Sequence, residues 1–379
     1  MELSQYYTPT SFSSILIANM LTIDADSVLD IGCGQASLLE AARHRWSTAK
    51  LIGYDIDPTN YSLKGKNLHI GFGDGLDPDL SSKILDTFGN IDISVANPPY
   101  TSVDMNRGIV RILKQACLFD CLPRNIKKIP SEIVFLAQNF LVLKDCGELG
   151  AILPASIISG EKWKHLREYL ITEKRIGKVI QLPKKAFSNT EAATFAVVLD
   201  NRKSNSDSIE LSSIDSKTSL KIDNVRCIKR LDYCYHSNGL NMHISKVNDG
   251  LIIFRGNKSS KEITSSSEPF IHTSDLKNIF QILSFEKRNY PKGAKVAKKG
   301  DFVVSRVGSR CIGKAAYINE GEVEVSDCIT VLSGLDKELY IPFFKFGKFY
   351  ENALSNALGT GAQYLTFEII REALGMYDF

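Results

Sequence analysis

The sequence predicts an α/β protein: a doubly wound, mostly parallel sheet over residues 1–203, followed by a smaller, mixed β-rich domain over residues 208–379. Three observations carry this. Up to residue 200, short apolar runs alternate with stretches of helical periodicity, the pattern of βαβ units laid into a parallel sheet. "NRKSNSDS" (201–208) is then polar and without periodicity, as a linker is. Beyond it, short β-rich runs are broken by Gly, Ser and Asn.

The elements follow in order. "SVLDI" (27–31) reads as a buried strand, and a helix starts near Ala36. "KLIGYDI" (50–56) and "NIDISVA" (90–96) are the next strands, each apolar enough to be covered on both faces. A helix starts near Ser131, "LGAILP" (149–154) is a strand, and another helix starts near Glu161. "GKVIQL" and "ATFAVVLD" complete the sheet. No internal repeat interrupts this plan.

Composition excludes several classes. With 44% hydrophobic and 23% charged residues the chain can bury a full core. It has no apolar run of eighteen residues, and "MELSQYYTPTSF" has neither a basic n-region nor an apolar h-region, so a membrane span and a signal peptide are not expected and a cytoplasmic location is. The eight cysteines include no C-x-x-C pair, which suits reduced thiols and predicts no metal site. Net charge is only +3, but residues 287–314 hold nine basic residues against one acid, Asp301. Taken alone such a run is a solvated face; beside a nucleic-acid chemistry it is a phosphate-binding surface.

Two short stretches carry the chemistry. In "VLDIGCGQASLL" (28–39), Gly32 and Gly34 follow a strand and let the backbone turn close to a nucleotide-like ligand. The next strand ends in "GYDIDP", which puts Asp55 where an acid accepts hydrogen bonds from two ribose hydroxyls, and Asp74 in "GFGDGL" is placed to accept from an adenine amine. The Gly-x-x-x-x-Gly-Lys loop that grips phosphates is absent, so ATP is not the preferred ligand. "SVANPPYTSV" (94–103) is the second stretch: a strand that ends on an amide, two prolines and an aromatic ring. An adenine N6 amine is a poor nucleophile, and alkylating it requires acceptors that hold both N–H bonds so that the lone pair faces the electrophile. Asn97 offers a side-chain oxygen, Pro98 offers a backbone carbonyl that the rigid ring aims, and Tyr100 offers a face on which an unstacked base can lie.

In order along the chain, "YYTP" (6–9), "VLDIGCG", "YDID", "GDG", "NPPY", "AILPAS" and "KKAFSNTEAATFAVVL" resemble the gamma-class, TaqI-like N6-adenine DNA methyltransferases, which use S-adenosylmethionine. The resemblance covers the whole first half. It implies a Rossmann-like methyltransferase sheet and an S-adenosylmethionine-dependent catalytic domain at 1–203. It also implies that Tyr7 and Thr8 contact the methionine part of the cofactor, and that Asp30, Gly32 and Gly34 line its pocket. Asp55 would hold the ribose and Asp74 the adenine, with Asn97 bordering the cofactor as well as the target. Asn97, Pro98 and Tyr100 would act on the target base, with Phe187 packed against it. Residues 101–130 show no clear motif of the family. "KKGDFVVSRVGSRCIGKAAYI" (298–318) and "ALGTGAQYLTFEIIREAL" (357–374) look like target-recognition segments of type I specificity subunits, which implies a DNA target-recognition domain at 208–379. There Gly308 and Gly313 break a β-ribbon beside Arg306, Arg310 and Lys314, a layout suited to phosphate and groove contacts, with Lys298 and Lys299 as further DNA contacts.

The expectation is a site-specific DNA adenine-N6 methyltransferase of a restriction-modification or related system, acting on double-stranded DNA, with a separately encoded restriction endonuclease as a partner the reading allows. Protein-glutamine methyltransferases share "NPPY" and the same sheet, but a basic C-terminal domain does not fit them; RNA N-methyltransferases are weakened less. A catalytically silent specificity subunit is the non-enzymatic alternative, against which stand the intact Asn97–Tyr100 run and the Gly32-x-Gly34 turn.

Overall fold

A computed structural model describes residues 8–62, 65–183, 193–202, 206–216, 218–239, 250–259, 262, 269–308, 310–358 and 363–375. The chain divides into two compact units, Met1–Tyr233 and Cys234–Phe379.

The first unit runs α1 (Thr10–Ala18), β1 (Ser27–Ile31), α2 (Ser37–Arg45), β2 (Lys50–Asp55), β3 (Leu68–Phe72), α3 (Leu80–Phe88), β4 (Ile91–Ala96), β5 (Ser102–Asp104), α4 (Arg107–Gln115), β6 (Lys128–Pro130) and α5 (Ser131–Val142). It continues with β7 (Leu143–Pro154), α6 (Ala155–Ser159), α7 (Lys164–Thr172), β8 (Ile176–Gln181), β9 (Thr194–Asp200), β10 (Ser208–Ser213), β11 (Ser219–Asp223) and α8 (Asn224–Lys229). One nine-stranded sheet has the order β11-β10-β8-β9-β7-β4-β1-β2-β3. Strands β3, β2, β1, β4 and β7 are parallel, while β9 lies antiparallel between β7 and β8. Helices cover both faces: Leu16, Leu38, Leu39 and Trp46 pack with Val28, Val95 and Ile152 in one layer, and Ile84, Phe135 and Val142 pack with Leu29, Ile31 and Ile52 in another. This is the doubly wound, mostly parallel sheet expected from the alternation of apolar runs, because a strand covered on both faces reads as a continuous apolar run.

The boundary differs from the one the linker suggested. Residues 208–223, expected as the start of the second domain, extend the first sheet: β10 pairs in parallel with β8, and β11 antiparallel with β10. The connection back is locked by Arg167, fully buried on α7, whose guanidinium donates to Ile157 O (3.0 Å), Gly160 O (2.6 Å), Ile228 O (3.0 Å) and Lys229 O (2.7 Å). The polar stretch 201–208 therefore joins two strands of one sheet, and the division falls between Tyr233 and Cys234.

The second unit continues with β12 (Ile252–Arg255), β13 (Phe270–Ile271), β14 (Phe280–Ser284) and β15 (Val296–Lys298), and its described residues hold a five-stranded and a three-stranded sheet. The segment β16 (Phe302–Ser305) shows why: Phe302 and Val304 pack with Tyr340, Phe344 and Phe349 of the C-terminal helices, and Val303 packs with Val323 and Val325 of the smaller sheet. Side chains alternate across a strand, so a strand covered on both faces is apolar throughout.

Candidate active site

The carboxyl ends of β1, β2, β3 and β4 lie side by side, the edge where open α/β sheets bind ligands. After β1 the chain turns through Gly32 (φ +80°) and Gly34 (φ +51°), a left-handed backbone that favours glycine. Gly32 N–H and Cys33 N–H both donate to Tyr54 O, at 2.7 and 3.1 Å, and Gly34 N–H donates to Asp55 Oδ2 at 2.6 Å. The first and second strand ends are thereby fixed to each other. Asp55 is buried and its other oxygen accepts from Asp57 N–H at 2.8 Å. Asp74 follows β3, with Oδ1 accepting from Leu76 N–H at 2.9 Å. Among the described residues Asp74 Oδ2 has no partner.

Asp30 is the most unusual acid of the site. It is 1% exposed, its Oδ1 has no hydrogen-bond partner, and burial, with the Asp55 charge adding, pushes its carboxyl well above the ordinary carboxylate range. An orphaned buried oxygen of this kind calls for a donor or a cation from outside the chain.

Asn97, Pro98 and Tyr100 lie together after β4. Asn97 Nδ2 donates to Thr8 Oγ1 at 2.9 Å, and the Tyr100 hydroxyl donates to Asn97 Oδ1 at 3.1 Å, so the amide's orientation is set from both ends. Pro99 O accepts from Ser131 Oγ at 2.5 Å, while Pro98 O takes no hydrogen bond among the described residues. Thr8, expected against the cofactor, is buried and occupied with Asn97. It is held there by α1, whose C-terminal end is gripped by Arg45 on Met20 O (2.8 Å) and Thr22 O (3.1 Å), and by Glu148 on Leu21 and Thr22 N–H (2.6 and 2.9 Å). Tyr7 and Phe187 lie outside the described residues.

Helix α5 was missed as part of the site. Eleven of its twelve residues are buried, including Ser131, Glu132, Gln138 and Asn139. A Cβ on Gly32 would come within 3.1 Å of the Phe135 ring and one on Gly75 within 2.3 Å, so both glycines exist partly to admit this ring. Gln138 Nε2 holds the Asp74 loop through Gly75 O (3.2 Å) and Asp77 O (2.7 Å). Glu132 has a buried Oε2 without a hydrogen-bond partner, and burial pushes its carboxyl up to about 7. The available signal was four polar residues in an otherwise apolar helix, "SEIVFLAQNFLV".

The basic run of the second unit is split. Lys298 and Lys299 are exposed at the entry to β16, and Lys295, Lys298 and Arg288 line an open groove of about 610 Å³ with Phe254 and Tyr290. Arg306, Arg310 and Lys314 follow the far end of β16. Of these Arg310 is exposed, Arg306 is half-buried, and Lys314 Nζ donates to Lys277 O at 2.8 Å.

Residues 2–233 match the family model described as N-6 DNA Methylase. The chain belongs to this family. It is 25% identical over 229 residues to the type I restriction enzyme MpnII methylase subunit of Mycoplasma pneumoniae, covering 54% of this chain and 41% of that one. It is 20% identical over 206 residues to the type II methyltransferase M.CvrRI of Paramecium bursaria Chlorella virus XZ-6E, covering 52% and 48%. Among solved structures, the type IIG restriction endonuclease BpuSI is similar at a TM-score of 0.51 and 16% identity, covering 97% of this chain and 58% of that one, a likeness of fold. The chain thus spans about half the length of these curated relatives or less.

Family membership implies S-adenosylmethionine as cofactor, and the residues fit it. The orphaned Asp30 Oδ1 suits a cationic amino group, Asp55 the ribose, and Asp74 Oδ2 an adenine amine. No group of His, Cys, Asp and Glu able to hold a metal ion occurs among the described residues. No helix among them is long and apolar enough to cross a membrane.

Proposed function

We propose that this chain is a site-specific DNA adenine-N6 methyltransferase that acts on an adenine swung out of double-stranded DNA. The observation that carries the reading is the acceptor pair after β4: Asn97 Oδ1, oriented by Thr8, and the uncommitted carbonyl of Pro98. When bound, S-adenosylmethionine supplies an electrophilic methyl group. The protein's task is to present the amine. A carbonyl oxygen has two lone pairs, so Asn97 Oδ1 accepts one N6–H while keeping the Tyr100 hydroxyl, and Pro98 O accepts the other. Holding both N–H bonds turns the nitrogen lone pair toward the donor without a strong base. The ring of Tyr100 gives the expelled base a stacking surface, worth about 1–3 kcal/mol.

In this reading the second unit recognises the target. Lys298 and Lys299 bind phosphates at one end of β16, and Arg306 and Arg310 reach DNA at the other, with the Lys314 ammonium held by Lys277 O. Methylation of this kind belongs to a restriction-modification or related system in the cytoplasm, with a nuclease or specificity subunit as the natural partner. The test is to map N6-methyladenine in the DNA of cells expressing this protein alone. Methylation at one short sequence, lost in Asn97→Ala, is expected; DNA free of new N6-methyladenine would reject the reading.

A further inference from the structure

The connection that carries the acceptor turn is longer than a doubly wound sheet needs. Strand-to-helix loops in such sheets take about 2–6 residues, whereas residues 97–130 separate β4 from α5, and connections of that length are commonly functional. Its first residues are the acceptors. The rest, 101–130, is a folded platform. β5 and β6 pair from Ser102↔Pro130 to Asp104↔Lys128, and α4, capped by Asn106 Oδ1 on Ile109 N–H (2.9 Å), packs against α5 and buries Ile109, Ile112 and Leu113. The platform is fastened to the acceptor turn where it closes: Ser131 N–H donates to Thr101 O at 2.9 Å, and Ser131 Oγ donates to Pro99 O at 2.5 Å.

Its charge is opposite to that of the chain before it. Residues 1–100 hold six Lys and Arg against twelve Asp and Glu, and residues 101–130 hold six against two. All six of these cations, Arg107, Arg111, Lys114, Arg124, Lys127 and Lys128, are exposed. Arg107, Arg111 and Lys114 recur at i, i+4 and i+7, so they share the α4 face opposite its buried residues. They span about 10 Å of helix, the axial rise of about three phosphates along one DNA strand. Arg111 meets Asp79 at 3.0 Å, Lys128 lies 3.8 Å from Asp104, and Lys114 sits over the Phe119 ring. Arg107, Arg124 and Lys127 form no ion pair among the described residues. Met105 N–H donates to Lys127 O at 2.9 Å, which brings Lys127 beside the start of α4 and Arg107. A surface built for solubility intersperses both signs, whereas here the excess cations gather on the one segment tied to the acceptor turn.

We propose that residues 101–130 bind the phosphate backbone of the DNA strand that carries the target adenine, an inference that rests on the adenine-methylating reading above. Swinging a base out costs its stacking and pairing and distorts its own strand most. Phosphate contacts made beside the acceptor turn hold that strand while the base lies on Tyr100. They carry no sequence information, so this contact is separate from target recognition by the second unit.

The test uses the full chain and a fluorescein-labelled duplex containing the sequence that the protein methylates, with binding measured over about 50–300 mM salt. Arg107→Ala combined with Lys127→Ala should weaken binding about ten-fold or more near 100 mM salt and flatten the slope of log K against log salt by about 0.9 for each lost contact. Arg107→Lys combined with Lys127→Arg keeps the charge and should keep the slope. Lys50→Ala combined with Lys66→Ala removes the same charge from the opposite edge of the sheet, where β2 and β3 start, and should leave the slope as in the wild type. Donor affinity by calorimetry should be the same in all four proteins, which shows that they are folded. Ethylating the phosphates next to the methylated adenine should block binding of the wild type and cease to matter in the Arg107 and Lys127 alanine variant. A wild-type slope in that variant, an equal loss in the Lys50 and Lys66 control, or ethylation interference confined to phosphates away from the adenine overturns the proposal. Wild-type protein that methylates no DNA sequence overturns instead the function on which it rests.

Discussion

If Glu132 ionises in the folded protein only near pH 7, it weakens the fold above that pH, and Glu132→Gln should relieve the weakness. Its folded carboxyl binds a proton more tightly than the unfolded one does, so its contribution to stability is fully present below about pH 4.5 and is lost as pH rises through about 7. A displacement from 4.5 to about 7, at about 1.4 kcal/mol per pH unit, amounts to ~3 kcal/mol across that window. Glutamine has nearly the same shape and cannot ionise, though its buried amide needs partners and costs about 1–3 kcal/mol without them. The variant should therefore match or trail the wild type at pH 5 and gain on it by ~3 kcal/mol between pH 5 and 8. Urea unfolding followed by tryptophan fluorescence isolates the relevant unit, because both tryptophans, Trp46 and Trp163, are buried in it. The quantity to plot is the difference between the two proteins, in which the acids they share cancel. A difference independent of pH would refute the assignment of the raised carboxyl to Glu132.

Four further outcomes are expected. Asn97→Ala should lower methyl transfer by at least ~10²-fold with little change in donor affinity; a near wild-type rate would remove Asn97 from the chemistry. Asp30→Asn should weaken donor binding about ten-fold or more by calorimetry and stabilise the first unit at neutral pH, since a raised carboxyl destabilises the fold once it ionises. Arg167→Met should cost about 3–5 kcal/mol in the same urea assay, because four carbonyl oxygens lose a buried charged donor, and a loss under 1 kcal/mol would contradict its part in closing the unit. Replacing Lys298 and Lys299 by Ala should flatten the salt slope of DNA binding by about 0.9 per lost phosphate contact, whereas Arg306→Ala should cost about 1–3 kcal/mol chiefly on the methylated sequence.

The parallel strands were legible because each is buried on both faces, and the ligand-binding edge because glycines, acids and prolines punctuate the strand ends. Strands at or next to the sheet's edges were not. Leu68–Phe72 has no buried residue, only half-buried and exposed ones, and β10 alternates buried with half-buried, so neither shows the continuous apolar run that marks a central strand. The first unit's true end was hidden for a related reason. "NRKSNSDS" has the composition of a linker, and what keeps the chain in the same unit is backbone pairing of β10 with β8 and carbonyls presented to Arg167, neither of which leaves a side-chain pattern.

Helix α5 is the deeper case, because its pattern was visible and its meaning was not. An apolar helix carrying Ser131, Glu132, Gln138 and Asn139 fits a half-exposed helix as well as a buried one. Burial changes what each polar side chain does: Ser131 ties the Pro99 carbonyl, Gln138 ties the Asp74 loop, and Asn139 takes the Ser94 hydroxyl. Each of those three makes at least one hydrogen bond within the protein. Glu132 makes no such tie, and its buried Oε2, like Gln138 Oε1 on the same helix, is left for a donor that the described residues do not supply.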